Sequence, residues 1–469
     1  IFFLFFLTFL VKIRRLCYNL IKWTGRMIND NLFKKGETIA VALSGGKDSV
    51  ALLYSLLSVK DKLGIFVKAV NVEHGIRGEA SKKDSLFVAD LCKQLSVPLK
   101  TYYLDCIKFS EENGYGIEEG ARIARYDCFN SAIEEGFCDK IATAHHLSDS
   151  VETLLFNLFR GASLSGATGI KAERNNGKII RPFADTPKSE IEKYVADNGL
   201  NFVEDETNHE SVYSRNYIRN EIMPVVSARF PEAEKSIGRF LKITESENDF
   251  LEELAKKSLT RDGNAYFIPI DTPDCLSARA AVLAMKSLGI GKDYVKLHVD
   301  AVLSLKDLAN GSKVSLPRNV YAAREYDKIA IYKTVEKDMN FERPFVLGYI
   351  DGVDGELTFG EIKAKEKTVN AVKRNGSLVF DLNKLPKNAV VRYRRPGDYF
   401  KKFGGGRKKL NDYFIDKKIP LRLRDSIPLV CAGSEVYIIC GTEISDVIKV
   451  DKGTEKVVQC TYLPLSVDN

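Results

Sequence analysis

The hexapeptide Ser44-Gly45-Gly46-Lys47-Asp48-Ser49 brings together what a phosphate group requires. Two glycines let backbone N–H groups approach an anion, hydroxyl side chains flank them, and a helical pattern starts at Asp48. It is not a Walker A loop, because Val41 stands where that motif has its first glycine and Asp48 stands where Ser or Thr follows the lysine. A second block runs Ile141-Ala-Thr-Ala-His145-His146-Leu-Ser148-Asp149-Ser150-Val-Glu152-Thr153 and leads to Arg160-Gly161. Asp149 and Glu152 are three apart, so a helix turns both carboxylates to one side, an arrangement fit for an ammonium group or a metal ion. Acids that complement a helix dipole would read the same way. His145 and His146 carry no HExxH pattern, which leaves core or capping roles open and gives no sign of zinc.

These residues need elements to position them. From Thr38 to Leu200 short apolar β-prone runs (38–43, 66–72, 99–104, 140–143 and a weaker 178–181) alternate with helical patterns (48–58, 81–95, 117–135, 149–159 and 188–198). That alternation predicts right-handed βαβ crossovers and an α/β domain with a parallel sheet, whose ligands bind at the carboxyl ends of the strands. Beyond Pro224 the strand signals stop, and 232–258 and 276–308 read as amphipathic helices. From about Gly311 the chain turns β-rich, with strands expected at 313–316, 328–332 and 436–440 and a flexible loop at Gly404-Gly405-Gly406.

The length, 469 residues, implies about three domains. The apolar (45%) and charged (28%) fractions exclude wholesale disorder and a polytopic membrane protein. Nine cysteines (17, 92, 106, 128, 138, 275, 431, 440 and 460) form no CxxC pair, which points to reduced thiols and a cytoplasmic location. The run Ile1 to Val11 is too short to span a bilayer and is followed, not preceded, by basic residues. Residues 1–26 therefore read as an upstream extension or a misassigned start before Met27, with a membrane-surface anchor as the other reading. Between Arg392 and Arg424 twelve Lys or Arg face three Asp, a net of +9 against +7 for the whole chain. Tyr393, Tyr399, Phe400, Phe403, Tyr413 and Phe414 are interleaved with that charge, a composition suited to phosphate contacts and base stacking.

The SGGKDS loop resembles the PP-loop of the N-type ATP pyrophosphatases. With it occur His74-Gly75-Ile76-Arg77, Glu118-Glu119-Gly-Ala-Arg122-Ile-Ala-Arg125-Tyr126, the double-histidine block, Ile180-Arg181-Pro182 and Arg215-Asn216-Tyr-Ile-Arg219-Asn220-Glu-Ile-Met-Pro224. In this order and spacing they resemble the tRNA(Ile)-lysidine synthase family, and the likeness spans all but the leader. Ser148 and Ser150 depart from it, since the family usually has Asp or Asn, and often Gln, at those places.

The resemblance implies an adenine nucleotide α-hydrolase-like, Rossmann-like PP-loop catalytic domain over 27–225. A mainly helical domain follows over 226–340, then a small α+β, basic, tRNA-binding domain over 341–469. It implies that ATP adenylates C2 of the wobble cytidine of a CAU anticodon in tRNA(Ile), and that free L-lysine then attacks to give lysidine, with release of AMP and pyrophosphate. Ser44, Gly45, Gly46, Lys47, Asp48, Ser49, His74 and Arg77 would bind ATP, with Asp48 also holding Mg²⁺. Asp48, Arg122, Asp149 and Glu152 would act in catalysis, Asp149 and Glu152 by holding the substrate lysine. Arg160, Arg215, Arg219, Arg394, Arg395, Lys408 and Lys409 would contact tRNA. No stable protein partner is implied, and a homodimer is compatible. The rival reading is another PP-loop tRNA-modifying enzyme, such as a tRNA thiolase. Many thiolases use cysteine pairs, which this chain lacks.

Overall fold

The alternation of Ile39 and Val41 with Ala40 along β1 (Thr38–Ala42) determines how the first sheet is clothed. Ile39 and Val41 point to one face, where they join a core with Leu52, Leu53 and Leu56 of α1 (Lys47–Leu63). Ala40 points to the other, against Phe129 and Ala132. Both faces of a strand that is apolar from Ile39 to Ala42 are thus covered by helices, as a parallel sheet demands. In the computed structural model, residues 27–75, 79–204, 214–291, 294–334, 340–353, 355–362 and 377–463 are described. Arg77, the 1–26 leader and Cys17 lie outside them.

The sheet continues with β2 (Phe66–Glu73), α2 (Glu79–Leu95), β3 (Leu99–Tyr103), α3 (Cys106–Asn113), α4 (Ile117–Glu134), β4 (Lys140–Ala142), α5 (Leu147–Phe159), β5 (Glu173–Arg174), β6 (Ile179–Ile180) and α6 (Lys188–Asn198). The strand order is β3-β2-β1-β4-β6-β5. The β3, β2, β1, β4 and β6 pairings are parallel, and β5 closes the edge antiparallel to β6. The carboxyl ends of β1, β2 and β4 therefore come side by side, and the loop, His74 and the double histidine follow them directly.

After α6 comes a helix in three registers: α7 (Ser214–Tyr217), a π-helical stretch Ile218–Ile222, and α8 (Met223–Arg229). Met223 N–H reaches back five residues to Ile218 O. Pro224, just inside α8, has no N–H for an α-helical bond to Asn220, so the wider register accompanies it.

The chain divides into two compact units, the first ending at Asp249 and the second starting at Phe250. The boundary falls within α9 (Ala233–Ser258). In the second unit α10 (Asp274–Ser287) and α11 (Lys296–Ser304) supply the expected helices. They accompany a five-stranded antiparallel sheet, β7-β8-β11-β10-β9, from β7 (Thr260–Asp262), β8 (Ala265–Pro269), β9 (Lys313–Leu316), β10 (Val320–Glu325) and β11 (Lys328–Lys333). Strand signals thus resume at Thr260, sooner after Pro224 than the sequence shows. Ala280, Ala281 and Ala284 of α10 pack on Ile268, Ile329 and Ile331, and such small residues hold the helix close to the sheet.

The carboxy-terminal part is sheet-rich. Its strands are β12 (Glu342–Pro344), β13 (Gly348–Ile350), β14 (Glu356–Ile362), β15 (Ser377–Asp381), β16 (Val390–Arg392), β17 (Tyr399–Lys401), β18 (Arg407–Lys409), β19 (Leu429–Ala432), β20 (Glu435–Ile439), β21 (Glu443–Ile444) and β22 (Val457–Leu463). One sheet runs β12-β16-β19-β20-β17-β18 with β21 on β20, the other β13-β14-β22-β15. Two short helices, α12 (Leu410–Asp416) and α13 (Leu421–Arg424), complete it.

Candidate active site

The loop between β1 and α1 is built as its sequence requires. Gly45 has φ +88°, a conformation that a side chain would strain, and its carbonyl accepts the Val203 N–H at 2.9 Å. Ser49 Oγ donates to Gly46 O at 2.9 Å and lies 3.2 Å from Ser44 Oγ. The helix start itself has no side-chain cap, so its first N–H groups stay available to an anion. Lys47 turns to the side, 3.4 Å from Glu192 Oε1 and over the Phe202 ring.

Asp48 and the acidic block meet through a histidine. His146 is buried, with Nε2 3.7 Å from Asp48 Oδ2 and Nδ1 3.6 Å from Asp149 Oδ2. Asp149 also accepts the His146 backbone N–H at 2.9 Å, fixing the start of α5. Burial raises the Asp48 carboxyl above its ordinary value against the pull of His146 and Lys188, and Asp149 pushes the same way as burial. Asp48 Oδ1 is buried with no hydrogen-bond partner. One orphaned carboxylate oxygen near Asp149 fits a magnesium ion bound by few protein ligands and completed by phosphates and water.

Glu152 is buried, and Arg219 from the π-helical stretch holds it through Nε at 2.7 Å and Nη2 at 2.8 Å. The same Nη2 reaches Asp149 Oδ1 at 3.2 Å. Arg219, expected on tRNA, is instead turned inward onto the acidic pair. A buried carboxylate needs a cation, and the widened helix presents this one.

His145 Nδ1 lies 3.0 Å from Thr143 Oγ1. Burial, aided by Arg181 and Arg122 and opposed by Asp149, pushes its imidazole down to about 4. Arg122 is exposed, 6.0 Å from the Tyr126 ring, which Arg174 also covers at 4.6 Å. Arg181 Nη2 donates to the Tyr126 hydroxyl at 3.4 Å. His74 accepts from Arg125 Nε at 3.2 Å and has Cys106 Sγ 3.6 Å from Nδ1. Arg160 and Arg215 converge on one ring, Phe156, at 5.0 and 5.6 Å.

Residues 19–226 match the PP-loop domain family and residues 389–460 the TilS substrate C-terminal domain. The tRNA(Ile)-lysidine synthase of Caldanaerobacter subterraneus subsp. tengcongensis is 33% identical over 449 residues, covering 92% of this chain and 95% of its own length. That of Clostridioides difficile is 33% identical over 452 residues, covering 92% and 96%. The chain belongs to the tRNA(Ile)-lysidine synthase family. Among solved structures, the U34-tRNA thiolase NcsA from Methanococcus maripaludis covers 49% of this chain and 79% of its own at a TM-score of 0.40 and 19% identity.

Within this lysidine synthase family member, Ser148 takes a structural part. Its Oγ donates to Glu234 Oε1 of α9 and accepts the Lys188 N–H at 3.3 Å. Ser150 Oγ accepts the Ile170 N–H at 3.3 Å. Both departures thus tie α5 to neighbouring backbone or helix. Lys188, at the start of α6, is the site cation that sequence reading missed, because a lysine opening an amphipathic helix carries no distinguishing pattern.

The basic carboxy-terminal segment is less free than its composition suggests. Arg394 pairs with Asp425 at 2.5 Å, Arg395 with Glu342 at 2.8 Å and Lys408 with Asp416. Arg392 is buried in a two-pronged pair with Asp398. Tyr393, Phe400, Tyr413 and Phe414 are buried core residues, which corrects the expectation that the aromatics as a set stack on nucleotides. Among the described residues no helix is long and apolar enough to cross a membrane. The eight described cysteines are free thiols, all buried except Cys275.

Proposed function

We propose that this chain, working in the cytoplasm, joins free L-lysine to C2 of the wobble cytidine in the CAU anticodon of tRNA(Ile) at the expense of ATP. The observation that carries the reading is the position of His146, between Asp48 of the phosphate loop and Asp149 of the acidic pair. It brings the phosphate loop and the acidic pair together, which supports reading them as one site.

In the first step the C2 oxygen of cytidine attacks the α-phosphorus and pyrophosphate leaves. Ser44 to Ser49 cradle the phosphates with N–H groups and hydroxyls. Asp48 would hold Mg²⁺, which supplies positive charge to the triphosphate when bound. In the second step the ε-amine of lysine attacks C2, the C2–oxygen bond breaks, and AMP departs. Asp149 and Glu152 hold the lysine and keep its amine close to the base. Arg219 bonds the same carboxylates, so lysine shares them with it. His145, neutral at physiological pH, adds no charge beside the activated base.

Pyrophosphate release measured with ATP, lysine and unmodified tRNA(Ile) tests the proposal. Release dependent on tRNA is expected, and tRNA-independent release would overturn it.

A further inference from the structure

The hairpin β17–β18 is the outermost element of its sheet, and it sorts its side chains by face. Phe400 is fully buried, and Lys408, opposite it in the register, pairs with Asp416. Alternation then places Tyr399, Lys401, Arg407 and Lys409 together on the other face, with Tyr399 opposite Lys409 and Lys401 opposite Arg407. Lys401, Arg407 and Lys409 are exposed and make no carboxylate ion pair among the described residues. Arg407 stacks on the Tyr399 ring at 3.2 Å, which holds its guanidinium outward.

The loop joining the strands, residues 402–406, carries Phe403 and three glycines. Phe403 is 46% exposed, whereas Phe400, Tyr413 and Phe414 nearby are core. Gly404 has φ +60°, a conformation that favours glycine at the turn. Gly406 has an ordinary φ and open space where a Cβ would lie, so protein packing does not explain it. Bare backbone of this kind lets a phosphate approach closely.

We infer that this hairpin is a finger for unpaired RNA, in which Phe403 stacks on one unpaired base while Lys401, Arg407 and Lys409 hold the flanking phosphates. The inference rests on the reading that the chain acts on tRNA. It narrows the RNA contact from a basic segment of 33 residues to one face and one ring. The unpaired base belongs either to the 3′ tail of the tRNA or to one of its loops.

The test uses the full chain and a tRNA(Ile) transcript. Phe403→Ala raises Kd about 5- to 150-fold, the range for one stacked base, and leaves the salt dependence of affinity unchanged. Lys409→Ala lowers the slope of log affinity against log salt by about one unit. Phe403→Trp keeps affinity and adds a reporter to a chain whose single tryptophan is Trp23. Its emission is quenched by tRNA and not by a blunt RNA duplex. Quenching that disappears with a transcript lacking the 3′ tail places the base in the tail, and quenching that persists places it in a loop. Unchanged affinity of Phe403→Ala, or equal quenching by the duplex, overturns the finger. If the wild-type chain binds no tRNA, it is the underlying reading that falls.

Discussion

Arg219 donates to both carboxylate oxygens of Glu152, at 2.7 and 2.8 Å, from a stretch of π-helix. The pair links the acidic block to the helix that follows the parallel sheet, so it ties the geometry of the acidic pair to local stability.

Arg219→Ala strands a buried carboxylate, and the cost should be about 3 kcal/mol. Thermal melting checks this. A melting temperature equal to wild type would mean that Glu152 finds water or another cation without difficulty.

Glu152→Gln keeps the volume and removes the charge. If Glu152 holds the substrate ammonium, the variant raises the KM for lysine about 10- to 100-fold, the value of one charge-assisted hydrogen bond, with a much smaller change for ATP. Steady-state kinetics at varied lysine and saturating ATP separate the two, and an unchanged lysine KM counts against the assignment.

Asp48→Asn should cut pyrophosphate release by at least about 100-fold, as loss of a charge-stabilising group in a phosphoryl site does. The fold should survive, because Asp48 lies in the first turn of α1 and not in the core around Leu52 and Leu53. Circular dichroism and pyrophosphate release on the same sample decide it.

His145 titrates near 4 in the folded chain against an ordinary 6.5. Its folded value is depressed, so the unfolded chain binds the extra proton first. Stability is therefore full above about pH 6.5 and falls as the pH drops toward 4. His145→Gln should show a flatter melting profile across that window, and an identical profile would remove His145 as the cause.

Much of this was legible in the sequence, and the reasons differ by element. β1 to β4 and α1, α2, α4, α5 and α6 fall within a few residues of the expected runs, because buried parallel strands and amphipathic helices leave strong periodic signals. Residues 260–262 did not read as a strand, since β7, Thr260–Asp262, is exposed and polar throughout. The phosphate loop was legible because its chemistry is local. The partner of the acidic pair was not, because Arg219 lies 67 residues beyond Glu152 and only the fold brings them together. The same holds for Arg394, Arg395 and Lys408, whose charge is answered by Asp425, Glu342 and Asp416. Net charge in a window counts residues but does not show which of them are already paired.

The most direct test is mass spectrometry of the anticodon nucleosides after incubating the chain with ATP, Mg²⁺, isotope-labelled lysine and unmodified tRNA(Ile) bearing the CAU anticodon. Labelled lysine covalently attached to the wobble cytidine, formed in step with pyrophosphate and absent with Asp48→Asn, is the expected result. Pyrophosphate formation with an unmodified cytidine, or with sulfur and no lysine on the tRNA, would contradict it.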